Sequence, residues 1–307
     1  MKKKISLIVP CYNEQEVIRL THERLKKLDL GNYEKQIIYI NDGSADDTLA
    51  ILKELASTSE EEVKIISFSR NFGHQAAVSA GMAETDADAA VIIDADLQDP
   101  PEVIPLMIKK WEEGYQVVYG KRSKREGETG FKLFTAWAYY RALDKLSGGY
   151  IPKDTGDFRL IDRCVIDAMN AMPEHNRFLR GMGAWVGFRQ CALEYERDER
   201  AAGQTKYTLK KMLKLASDGI IAFSDKPLKM PIYTGAVLFI LSFIYLIVAI
   251  VLTCTGAISY FNIVLSAIFI ALSMLFIFMG FMGLYLARIY DEAKRRPNYI
   301  IEERIQR

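Results

Sequence analysis

The chain has 307 residues, half of them hydrophobic, and its 40 Lys and Arg against 39 Asp and Glu leave a formal net charge of +1. That balance argues against a nucleic-acid partner, since such binders carry a basic stripe outside any membrane flank. Cys11, Cys164, Cys191 and Cys254 show neither paired metal-ligand spacing nor a disulfide framework, as expected in a reducing compartment.

Met1-Lys2-Lys3-Lys4 precedes only Ile5 to Val9 before Pro10, an apolar run too short for a signal peptide and expected as a first strand. Further runs at Gln36 to Ile40, Val63 to Phe68, Ala89 to Ile93 and Gln116 to Tyr119 alternate with helical patterns near 14 to 28, 46 to 58, 74 to 85 and 101 to 113. That alternation predicts an α/β domain with a parallel sheet. The first strand runs into Pro10-Cys11-Tyr12-Asn13-Glu14 rather than Gly-x-Gly-x-x-Gly, and no Gly-Lys-Ser/Thr loop occurs, so phosphates must be held another way.

The loop after the second strand, Asn41 to Thr48, puts Asp42 where it can accept hydrogen bonds from a base or ribose. The same residues fit an Asx turn, with Gly43 at positive φ and Ser44 or Asp46 as a helix cap. Asp94-Ala95-Asp96 follows the fourth strand, at the edge where open α/β sheets bind ligands. Two carboxylates one residue apart, backed by Asp99, make a hard oxygen site for Mg²⁺ or Mn²⁺ against a diphosphate; a solvated turn is the competing reading. After the fifth strand, Lys121-Arg122-Ser123-Lys124-Arg125 offers cations for a phosphate, with Arg122 the favoured one because a guanidinium binds two oxygens at once.

Arg200 to Tyr207, with its small residues, reads as a lid or a linker ahead of a helix, and Arg200 and Lys206 are candidate phosphate contacts there. Leu209, Met212, Leu213, Ala216, Ile220 and Phe223 then recur at helical spacing beside clustered lysines, which fits a helix at headgroup level. The segment Phe131 to Leu146 fits either that role or core packing. From Pro231 to Ala287 no residue is charged, and the stretch breaks near Thr255-Gly256-Ala257 into runs 232 to 254 and 261 to 287. Each exceeds the roughly 20 residues that span a bilayer. Basic flanks at Lys226, Lys229, Arg288 and Lys294 to Arg296 put the large domain and the C-terminus in the cytoplasm. The expected organisation is a catalytic domain over 1–207, an amphipathic juxtamembrane helix over 208–230, two spans over 231–288 and a basic tail over 289–307. Gly280-Phe281-Met282-Gly283 and Gly235-Ala236 offer small-residue surfaces for packing spans in a homo-oligomer. His22, His74 and His175 lack ligand spacing; only His74 is a candidate to line the nucleotide site.

Pro10-Cys11-Tyr12-Asn13-Glu14, Asn41-Asp42-Gly43-Ser44, Arg70-Asn71-Phe72-Gly73-His74 and Asp94-Ala95-Asp96, in this order on successive strand ends, resemble family 2 glycosyltransferases. With the paired apolar runs they are most similar to polyprenyl-phosphate glycosyltransferases of the bactoprenol glucosyltransferase and dolichol-phosphate mannose synthase type. The resemblance implies a GT-A fold, a mixed and mainly parallel sheet, with two C-terminal transmembrane helices. It implies that Pro10, Tyr12 and Glu14 pack around the nucleoside and Asp42 contacts the base. Asp94 and Asp96 match the metal-binding pair, Asp96 the more direct ligand, and Asp157 in Thr155-Gly156-Asp157-Phe158-Arg159-Leu160 matches the catalytic base. No Gln-x-x-Arg-Trp sequence occurs, which favours transfer of one sugar over chain elongation.

The expected activity is inverting transfer of one sugar from a nucleotide-sugar donor to a polyprenyl phosphate, with UDP-glucose and undecaprenyl phosphate favoured. GDP-mannose as donor, and a catalytically silent membrane-anchored nucleotide-binding scaffold, are the alternatives. A phosphate monoester with a second pKa of about 6 is mostly ionised at neutral pH, so Asp157 is expected to orient the acceptor as much as to take a proton.

Overall fold

The computed structural model describes residues 2–122, 155–175, 177–196 and 261–306. The chain divides into two compact units, one of Met1–Gly219 with Pro297–Arg307 and one of Ile220–Arg296. In the first unit β1 (Lys4–Cys11), β2 (Glu34–Asn41), β3 (Glu62–Phe68) and β4 (Ala89–Ile92) alternate with α1 (Ile18–Lys26), α2 (Thr48–Thr58) and α3 (His74–Glu84). After β4 come α4 (Ile104–Glu112), β5 (Val117–Arg122), β6 (Thr155–Asp162), α5 (Arg163–Ala171), α6 (Leu179–Trp185) and β7 (Gln190–Tyr195). The second unit contains α7 (Phe261–Lys294), and β8 (Ile301–Gln306) returns to the first.

The sheet has eight strands in the order β7-β5-β6-β4-β1-β2-β3-β8. Its centre, β4-β1-β2-β3, is parallel, as expected from runs of Val and Ile that are buried along nearly their whole length. β6 and β8 run antiparallel to their neighbours, which makes the sheet mixed. In register, Cys11 lies opposite Asn41 and Ile8 opposite Ile92. The loops after β1, β2 and β4 therefore open on one edge, the carboxyl end where such sheets bind ligands.

Two close approaches fix that edge. A Cβ on Gly81 would lie 2.4 Å from Ile8 Cγ2, so α3 sits on β1 too tightly to slide and holds His74 at its first turn in place. A Cβ on Gly43, at φ +60°, would lie 2.3 Å from the Arg70 carbonyl carbon, so the β2 loop and the Arg70 to Gly73 loop cross backbone on backbone.

The expected span 261 to 287 falls within α7, which is 34 residues long, and exposed Val264, Ile268, Leu275, Met279 and Leu286 lie along it. The expected span 232 to 254 and the juxtamembrane helix lie outside the described residues. Among the described residues no helix is long and apolar enough to cross a membrane. The two spans therefore rest on the charge-free runs of the full sequence and not on the observed fold.

Candidate active site

The loops after β1 and β2 are laced together. The Asn13 amide donates to Ser44 Oγ at 3.0 Å, the Ala45 amide to Asn13 Oδ1 at 2.8 Å, and the Glu14 amide to Thr48 Oγ1 at 2.9 Å. Asn13 takes φ +54°, and the Glu14 carbonyl accepts the first bonds of the turn into α1. Pro10 is buried at the end of β1, Tyr12 is 39 % exposed beyond it, and Glu14 is half-buried.

Asp42 is buried, and its carboxylate turns inward. It accepts from the Phe72 amide at 2.7 Å, the Gly73 amide at 3.0 Å and Asn71 Nδ2 at 3.0 Å. Burial pushes its pKa up while those backbone donors pull it down, and burial wins. Much of its acceptor capacity holds the loop that leads into α3.

The turn after β4 is held differently. Thr21 Oγ1 on α1 donates to the Ala95 carbonyl at 2.7 Å, Asp96 Oδ1 accepts from the Gln98 amide at 3.2 Å, and buried Leu97 is forced to φ +56°. A left-handed Leu is a costly backbone state that persists only where its surroundings dictate it. Asp99, expected to back the metal pair, is buried and accepts from the Tyr195 hydroxyl on β7, and its charge still acts on Asp94. This third carboxylate thereby ties the turn after β4 to β7.

Asp94 meets two residues from distant parts of the chain. His74 Nε2 lies 3.8 Å from Asp94 Oδ1 and 3.3 Å from Asp157 Oδ2. Arg180 on α6 grips Asp157 with both arms of its fork, Nε to Oδ1 at 2.7 Å and Nη2 to Oδ2 at 3.0 Å. Burial would raise Asp157, but Arg180 and His74 hold it well below the usual carboxylate range. Burial would lower His74, yet Asp94 and Asp157 raise it to about 9, so it is cationic at neutral pH. Asp94 is pushed up to about 6, first by burial and then, against the pull of His74, by Asp157, Asp96 and Asp99. Arg159, buried beside this cluster, donates to the Gly156 carbonyl at 3.0 Å, and burial lowers it to about 10.

Among the described residues no group of three or more His, Cys, Asp or Glu is arranged to hold a metal ion. The turn after β4 carries two carboxylates at this edge, Asp94 and Asp96. That set suits Mg²⁺ or Mn²⁺, which keep waters and take substrate phosphates alongside one or two carboxylates. The raised Asp94 fits as well, because burial first, and then its carboxylate neighbours against the pull of His74, disfavour its charge, and a cation would offset both.

Of the expected phosphate contacts, Arg122 ends β5, and Arg200 and Lys206 lie outside the described residues. Sequence reasoning missed Arg180. Its signal was slight: a lone Arg beside Gly181, in a chain whose buried Asp157 needs a counter-ion. His22 is buried and meets the Tyr39 hydroxyl at 3.0 Å, a structural bond.

Residues 6–169 match the family model described as glycosyl transferase family 2. The chain is 50% identical over 305 residues to an uncharacterized glycosyltransferase of Bacillus subtilis, covering 97% of this chain and 93% of that one. It is 39% identical to the bactoprenol glucosyl transferase of Shigella phage SfX, covering 98% and 99% of the two chains. Among solved structures, glucosyl-3-phosphoglycerate synthase from Mycobacterium tuberculosis superposes with a TM-score of 0.52 at 20% identity, over 71% of this chain and 76% of that one, which shows the shared fold. The chain belongs to glycosyl transferase family 2 and is a glycosyltransferase.

Proposed function

We propose that the protein transfers a single sugar, glucose by preference, from a nucleotide-diphosphate sugar, UDP by preference, to undecaprenyl or a related polyprenyl phosphate at the cytoplasmic face of the membrane. The observation that carries this reading is likeness along nearly the whole chain, tail included, to proteins named bactoprenol glucosyl transferase. The charge-free runs from Pro231 to Ala287 support two membrane spans.

Each residue's part follows from its charge and partners. Asp94 and Asp96 would hold the divalent cation, which when bound supplies Lewis-acid stabilisation to the departing diphosphate. Asp42 fixes the loop carrying Phe72 and Gly73, and Pro10, Tyr12 and Glu14 form the opposite wall for the nucleoside. Cationic His74 stands between Asp94 and Asp157 and can donate to a phosphate oxygen. Asp157, locked in a bidentate pair, is a poor proton acceptor and a good fixed anion. It serves to orient the acceptor side of the site or to stabilise positive charge at the sugar carbon. Attack by the lipid phosphate from the face opposite the diphosphate gives an inverted product.

The test is transfer of radiolabelled sugar from a panel of UDP and GDP sugars into organic-extractable lipid, with undecaprenyl phosphate and Mg²⁺ or Mn²⁺. Label from one donor, lost with chelator, supports the reading and names the donor; GDP-mannose as that donor would replace glucose with mannose. Tight nucleotide binding with no transfer from any donor would sink it in favour of a silent scaffold. In the same assay Asp157→Asn is expected to lose on the order of 100-fold in rate. A loss that raised pH restored in full would show that Asp157 works as a base after all.

A further inference from the structure

The segment after α7 is charged and reads as a tail, yet it reaches both ends of α3. β8 runs antiparallel to β3, with Ile305 opposite Ile65 and Ile301 opposite Phe68, and the Ser69 amide donates to the Ile300 carbonyl at 3.1 Å. At the far end of α3, Arg304 pairs with Glu84 at 3.0 Å. At the near end, the Tyr299 ring stacks on Phe68 with centroids 5.0 Å apart and planes 11° from parallel. Phe68 meets Phe72 edge-on at 5.7 Å. Phe72 belongs to the loop whose amides donate to Asp42, and His74 follows two residues later.

We propose that Pro297–Arg307 is a positioning element for the active site. Tyr299, acting through Phe68 and Phe72, holds the Arg70 to Gly73 loop and so sets His74 against Asp157 and Asp94. The packing side of this claim stands on the contacts alone; its catalytic side rests on the function proposed above. A strand that merely covered the β3 edge would stabilise the whole sheet evenly. One that positions the site would act on the loop first, because the stack ends there.

The experiment compares the full-length wild type with Tyr299→Ala and Tyr299→Phe, following backbone amide exchange and steady-state sugar transfer. In Tyr299→Ala, exchange at Phe72 and Gly73 is expected to quicken about two- to tenfold, the range that loss of one aromatic contact corresponds to, while β1 and β4 stay unchanged. Its kcat falls more than its donor KM shifts. Tyr299→Phe, which keeps the ring, matches the wild type in both readouts. Equal quickening across the sheet, or none at Phe72 and Gly73, would overturn the proposal. Should the wild type transfer no sugar from any donor, the functional reading fails, while the exchange comparison still decides the positioning claim.

Discussion

Asp42 and Asp94 occupy the same kind of place, the first or second residue past a buried parallel strand, and the fold treats them in opposite ways. Asp42 is met by two backbone amides and an Asn side chain, so its charge is satisfied within the protein. Asp94 has no such amide donors among the described residues: it is partly buried, faces His74 at 3.8 Å and feels the charges of Asp157, Asp96 and Asp99. Strand-end position alone does not distinguish them; the donors supplied by the Arg70 to Gly73 loop do.

Substitution should break this contrast in order of effect. Asp96→Asn and Asp94→Asn are expected to lower sugar transfer at least about 100-fold, since each removes one of two carboxylates from the proposed metal position. A loss under tenfold in the radiolabel assay would mean that these residues do not carry a metal. Stability should respond unequally at the two acids. Asp42→Ala strands buried amides and should cost about 2 kcal/mol in chemical unfolding. Asp94→Asn in chelator should shift stability by no more than about 1 kcal/mol at neutral pH, because relief of a partly buried carboxylate is set against loss of the His74 partner and the side chain is 38% exposed.

The smallest effect is the dependence on pH, and it sharpens the contrast most. Asp94 has a folded pKa raised from 3.8 to about 6, so its contribution to stability is full below 3.8 and is lost as pH rises through about 6. His74, raised from 6.5 to about 9, contributes fully below 6.5 and is lost as pH rises through about 9. Unfolding of the metal-free protein should therefore show two declines in stability. Asp94→Asn should flatten both, because Asp94 also raises His74, whereas His74→Gln should remove the upper one. A profile unchanged in Asp94→Asn would contradict the reading of this cluster.

The central sheet was legible because its strands are buried on both faces, and uninterrupted Val and Ile runs mark such strands without tertiary knowledge. β6 and β8 were not. β8 alternates half-buried and exposed residues in Ile301-Glu302-Glu303-Arg304-Ile305-Gln306, and an edge strand with one wet face looks like a charged tail. At the site, the Asp94 and Asp96 turn was visible from its strand end. Asp99 could not be told from them, since only the fold reveals that Tyr195 claims it. Arg180 was invisible for a related reason: an ion pair between residues 23 apart leaves no local pattern.

The place of β8 in the sheet also bears on how the protein is made. Its partner β3 is complete by Phe68, yet the strand that covers it leaves the ribosome only after the whole apolar segment. Throughout synthesis the catalytic unit therefore presents an open β3 edge, a template for pairing with other chains. Until β8 pairs with it that edge stays open, so a chain cut short before Ile301 would retain its acids and still be prone to aggregate.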